Sequence, residues 1–119
     1  MSRTRALVVV ASLVIFFVAG GIVIYVNGHH GGQNRTFNVT VTGATTMSPP
    51  TLQAYQHDTI TINITSDADG EVHLHQYDIA FDTKAGQVVS HTFKADNTCS
   101  CDIEWESTSH PLGTLVVSP

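Results

Sequence analysis

Short runs of alternating apolar and polar residues fill the chain from Thr36 to its end. In Thr36-Phe37-Asn38-Val39-Thr40-Val41-Thr42, the residues Phe37, Val39 and Val41 fall on one side and the polar residues on the other. Thr59-Ile60-Thr61-Ile62-Asn63-Ile64-Thr65 repeats the pattern with its three isoleucines. A period of two in β-branched residues marks a half-buried strand. The same pattern predicts strands over residues 51–55, 72–81, 88–94, 101–107 and 113–117. Turn-forming residues separate these runs at Ser48-Pro49-Pro50, Asp67-Ala68-Asp69-Gly70, Lys84-Ala85-Gly86, Ala95-Asp96-Asn97 and His110-Pro111. Seven short strands at this spacing predict a sandwich or barrel. Neither a helical period nor an internal repeat occurs in this part of the chain.

The N-terminal pattern is of another kind. Residues 6–26 carry no charge, and at about 1.5 Å per residue such a run crosses a hydrocarbon core of ~30 Å as a helix. Arg3 and Arg5 precede it and the next basic residue is Arg35. That asymmetry places the N-terminus in the cytoplasm and the rest outside. The rival reading is a cleaved signal peptide with small residues at Ala19-Gly20-Gly21. The apolar run continues past that point through Val26, longer than a signal h-region of about 7–15 residues, so an uncleaved anchor over residues 1–27 is the reading preferred. Both readings export the remainder. Residues 28–35, Gly-rich and polar, read as a flexible tether before a domain at 36–119. His29-His30 within it reads as solvated linker in preference to a weak metal site.

Charge narrows the partners. Residues 31–119 of the 119-residue chain hold three basic and ten acidic residues. An acidic surface argues against nucleic acid and anionic lipid and favours cations or basic proteins. No nucleophile–base–acid arrangement, phosphate loop or zinc-protease motif is present, and the chain reads as non-enzymatic. The Asn38-Val39-Thr40 and Asn63-Ile64-Thr65 glycosylation patterns lie mid-strand and read as polar strand faces.

Two places carry candidate chemistry. In Glu71-Val72-His73-Leu74-His75, two histidines at i and i+2 share one face of a strand and can reach one ion. Neutral imidazole suits Cu, Zn and Ni. Parity leaves their direction open. Val72 and Leu74 as core residues turn both histidines outward, whereas Ile79 and Phe81 as core residues of the same unbroken strand turn them inward. In the second place, Cys99-Ser100-Cys101-Asp102-Ile103-Glu104-Trp105-Glu106, residues Cys101, Ile103 and Trp105 form the inward set and Asp102, Glu104 and Glu106 the outward one. Trp105 reads as a core anchor. Two cysteines in an exported chain invite a disulfide, although i,i+2 spacing is poor for one. A redox-active disulfide, a thiolate pair for soft copper(I) and inert thiols all stay open.

Three segments resemble the cupredoxin-like domains of exported bacterial proteins. They are "PPTLQAYQHDTITINITSD", with His57 where a Gly is usual; "EVHLHQYDIAFDTKAGQVVSHTFKAD", similar to an E-V-H-x-H-G-Y-D segment with Gln76 in place of Gly; and "DIEWESTSHPLGTLVVSP". The resemblance implies an all-β fold, an antiparallel Greek-key β-sandwich with a copper site at one end. It places the ligand histidines at His73 or His75 and at His110, with Glu106 beside them and Met47 as a soft axial ligand. The cysteine expected at the end of the preceding strand is replaced by Trp105-Glu106, and Cys99 and Cys101 lie ~16 Å away along that strand at ~3.3 Å per residue. A copper-binding module for delivery, storage or sensing is therefore the expectation, with zinc as the alternative ion and a membrane redox or copper-handling protein as partner. A metal-free interaction module, an electron carrier using Cys99 or Cys101, and a thiol oxidoreductase are the alternatives.

Overall fold

The computed structural model describes residues 32–119; the apolar segment, its signal-peptide alternative and His29-His30 lie outside them. Nine strands are present: β1 (Asn34–Thr42), β2 (Thr46–Ser48), β3 (Thr51–Tyr55), β4 (Thr59–Ser66), β5 (Gly70–Leu74), β6 (Ile79–Thr83), β7 (Val88–Lys94), β8 (Cys99–Trp105) and β9 (His110–Ser118), with a 3-10 turn over Glu106–Thr108. They form two sheets, ordered β2-β1-β4-β7 and β3-β9-β8-β5-β6. The isoleucines of β4 and Val39 and Val41 of β1 face Leu52, Val72, Leu74, Phe81, Ile103, Trp105 and Leu115 across one buried core. The alternation seen in the sequence is thus the inside and outside of a sandwich.

The pairing is not wholly antiparallel, although the family resemblance implied that it would be. β1 runs parallel to β4, from Asn34 opposite Thr59 to Val41 opposite Ser66, and β3 runs parallel to β9. Each of these strands alternates in the same way whichever direction its neighbour takes, so pattern alone carried no sign of it.

The predicted strand over 72–81 is a hairpin. β5 and β6 pair antiparallel with Val72 opposite Phe81 and Leu74 opposite Ile79, joined by the turn His75-Gln76-Tyr77-Asp78. Gln76 and Asp78 both adopt left-handed backbone, at φ 72° and 54°, which reverses the chain. The Tyr77 hydroxyl donates to the Asn97 carbonyl and accepts from the Asn97 N–H, tying the turn to the approach to β8. The hairpin resolves the parity conflict, since Val72, Leu74 and Phe81 are all buried. β2 went unseen because three residues with one buried side chain, Met47, are too short to show a period.

Candidate metal site

His73 projects from β5 between buried Val72 and Leu74, so it stands on the outer face of the five-stranded sheet. Its register partner on β8 is Glu104, which belongs to the outward set of that strand. His75 begins the hairpin turn, and its N–H donates to the Asp102 carbonyl, which continues the β5–β8 ladder by one residue. The two imidazoles meet edge to face, with ring centroids 4.7 Å apart. One ligand atom each from His73, His75 and Glu104 lies within 4.8 Å of the others. Local strand geometry places the histidines, and a non-local pairing brings the carboxylate to them.

The hydrogen bonds prepare one lone pair. His73 Nε2 lies 2.8 Å from Asp78 Oδ1, and a carboxylate there holds the proton on Nε2. His73 Nδ1 is left as an acceptor; it is buried and has no hydrogen-bond partner among the described residues. A metal-bound histidine normally gives its second ring N–H to a carboxylate in this way. His75 Nε2 lies 2.8 Å from Glu104 Oε1. Solvent reaches all three groups unequally, with side-chain exposures of 17% for His73, 43% for His75 and 18% for Glu104. The Asp78 hydrogen bond raises the His73 pKa above the ordinary imidazole value; burial opposes this, and the charges of Glu106, Asp78 and Glu71 add to it.

The residues brought together fit a divalent ion and do not fit a thiolate-ligated copper. Two imidazoles and a carboxylate suit Cu(II) or Zn(II), and the buried lone pair of His73 Nδ1, without a hydrogen-bond partner among the described residues, suits either ion. Cys99 and Cys101 are joined in a disulfide, Cα atoms 5.4 Å apart, on the inward side of β8. Met47 is a core residue packed near Gly113. His110 starts β9 opposite Trp105 and is exposed; neither it nor Glu106 joins the group formed by His73, His75 and Glu104. Glu106, in the 3-10 turn, acts on His73 only through its charge. The group that the structure brings together thus lies on the sheet's outer face, whereas the family resemblance implied a site at the sandwich mouth. Glu104 was not singled out as a candidate ligand although its outward parity was legible, because its register against His73 joins strands that are distant in sequence.

The sequence matches no protein-family model and no curated protein sequence. The fold does have solved counterparts. A laccase from Botrytis aclada superposes with TM-score 0.61 at 15% identity over 75% of this chain and 23% of the laccase. A copper binding protein in its apo form gives TM-score 0.59 at 10% identity, covering 72% of this chain and 96% of that one. A chain of a heme-copper terminal oxidase gives 0.56 at 14% identity, covering 98% and 99%. The chain spans about a quarter of the laccase's length. Together these likenesses show a cupredoxin-like fold.

Proposed function

We propose that this cupredoxin-like domain is a non-catalytic metal-binding module that takes copper at His73, His75 and Glu104 and handles it outside the cell at a membrane surface. One observation carries the reading: three ligand atoms converge within 4.8 Å while the buried Nδ1 of His73 has no hydrogen-bond partner among the described residues. When bound, the ion supplies a Lewis-acidic, exchangeable centre. The chain's part is to hold it. Asp78 fixes the His73 tautomer, His75 gives the more exposed imidazole, and Glu104 brings negative charge from the neighbouring strand. Three protein ligands leave the ion open to a fourth donor from solvent or from a partner, which suits delivery, storage or sensing more than permanent retention.

The likeness to a copper binding protein supports the choice of copper. The uncharged run at residues 6–26 supports a membrane anchor, and the likeness to an oxidase chain over almost its full length supports a membrane redox enzyme as the partner. An electron carrier with thiolate-bound copper is disfavoured because Cys101 is buried on the inward side of β8, away from the outward group of His73, His75 and Glu104.

Titration of the solubilised full chain with Cu(II) and with Zn(II) tests the reading. One equivalent of Cu(II) binds with a Kd below micromolar. His73→Ala and Glu104→Gln each weaken it tenfold or more, and Asp78→Asn by about 10- to 100-fold through the lost tautomer lock. His110→Ala leaves it unchanged. Because the proton and the metal compete for His73, whose pKa is raised, affinity falls as the pH drops through the imidazole range. Binding no tighter than micromolar, or equal damage from His110→Ala, contradicts the assignment and leaves a metal-free interaction module.

A further inference from the structure

The disulfide between Cys99 and Cys101 joins residues two apart in one strand. A disulfide that serves stability closes a long loop, because the entropy it removes from the unfolded chain grows with loop length. This one closes almost none. It also ties no two elements together. β8 is already held to β9 by backbone pairing, with Cys99 opposite Val117 and Cys101 opposite Leu115. Removing the bond would leave the ladder intact.

The surroundings suit the reduced state. Cys99 Sγ lies 3.9 Å from the Leu115 carbonyl oxygen, and Cys101 Sγ lies 3.7 Å from Gln76 Oε1. A disulfide sulfur has no proton to donate, so in the bonded form the two sulfurs give these oxygens no hydrogen bond. Two thiols in the same positions would each have a partner within sulfur hydrogen-bond range. The two sulfurs also differ in access: Cys99 is part-exposed and Cys101 is fully buried. A reagent from solvent therefore meets one end of the bond and not the other.

We infer that Cys99–Cys101 is a thiol–disulfide exchange centre that cycles within the folded domain, with low-molecular-weight thiols or a protein dithiol as its reductant. The thiolate of the reductant attacks Cys99 Sγ and forms a new S–S bond there. The Cys99–Cys101 bond breaks, and Cys101 leaves as a thiolate that takes a proton from solvent. A second thiol of the reductant then displaces Cys99 from the mixed disulfide. The products are two protein thiols and one oxidised reductant, two electrons having passed to the protein with two protons. Gln76 receives the Cys101 S–H and belongs to the turn that carries His75 and Asp78, so the exchange centre sits directly beneath that hairpin. The inference stands apart from the metal reading and survives its failure.

The test is made on the solubilised full chain in native buffer across a series of reduced-to-oxidised glutathione ratios. The samples are quenched with a maleimide and weighed by mass spectrometry, and circular dichroism follows the fold. The expected result is a single two-thiol step, with both cysteines labelled after unfolding in the quench and the β-sheet spectrum unchanged throughout. Cys101→Ser accumulates a glutathione adduct on Cys99, whereas in Cys99→Ser the buried Cys101 stays unmodified until the chain is unfolded. Reduction that occurs only together with loss of the sheet spectrum overturns the inference, as does a wild-type bond that survives the most reducing mixture. The wild-type measurement decides the matter even if a serine variant fails to fold.

Discussion

Asp58 shows how a single side chain decides the local economy of this fold. It is fully buried, yet Oδ1 accepts the Gln33 N–H, and Oδ2 accepts the Tyr55 N–H and Arg35 Nε. Burial alone would push its pKa up, but the two backbone donors and the Arg35 hydrogen bond and charge outweigh it and hold the carboxyl below its ordinary value. A lowered native pKa stabilises the fold above the unfolded value, near pH 4, and that contribution is lost as the pH falls through the native one. Asp58→Asn is expected to cost about 2–3 kcal/mol at pH 7, the low side for a broken buried pair because Arg35 keeps some contact with water. Urea unfolding at pH 7 and pH 3 checks it: the gap between the proteins narrows in acid. His57 and Gln76 are the second residue-scale case. Both stand where the resembling family has Gly, and both take left-handed backbone, at φ 77° and 72°. Their side chains pay a steric cost of about 1–2 kcal/mol there, partly offset by the greater unfolded-state freedom of Gly. His57→Gly and Gln76→Gly are each expected to stabilise by about 0.5–1 kcal/mol, read as a rise in the urea midpoint; a fall in both contradicts the strain account. The sequence displayed these two departures, but only the backbone showed what they share.

Among the elements, those with a long alternating run were legible and those defined by their partners were not. β4 could be read from residues 59–65 because the strand contains several repeats of the period, and β7 from residues 88–94 because turn residues bound a run rich in β-branched and aromatic side chains. β5 and β6 merged in the reading since both are apolar and the turn between them lacks Gly and Pro. Their packing carries its own prediction. A Cβ on Gly70, the first residue of β5, would run into Cζ2 of the Trp105 indole. Trp105 is fixed on β8 opposite Val72, so the ring has little room to yield. Gly70→Ala is expected to cost about 1–3 kcal/mol through overpacking, with a blue or red shift of the emission from Trp105, the only Trp of the chain. An unchanged stability and spectrum would mean that the indole moves freely. The bulge that shifts the β8–β9 register at Ile103/Glu104 lies one step from the candidate ligand, and no local pattern announced it.

At the scale of the whole molecule, the sandwich places two kinds of chemistry on opposite sides of the same strands. His73, His75 and Glu104 face outward from β5 and β8, while Cys99 and Cys101 face the core side of β8. The sequence suggested a sandwich and a histidine pair, and both are present. It also suggested that His110, Met47 and Glu106 would complete the ligand set, because a family resemblance carries the family's end-on site with it. The pairing of β5 with β8 brings Glu104 beside His73 and His75, and pairing of distant strands is what a period of two does not encode. Copper bound on the outer face without sulfur is the proposal that this layout supports. Electron paramagnetic resonance and visible absorption of the full chain with one equivalent of Cu(II) test it most directly. The account predicts a signal with nitrogen hyperfine structure from imidazole, only weak visible absorption, and loss of that signal in His73→Ala. An intense charge-transfer band from a thiolate, or a Cu(II) spectrum indistinguishable from that of the His73→Ala chain, would contradict it.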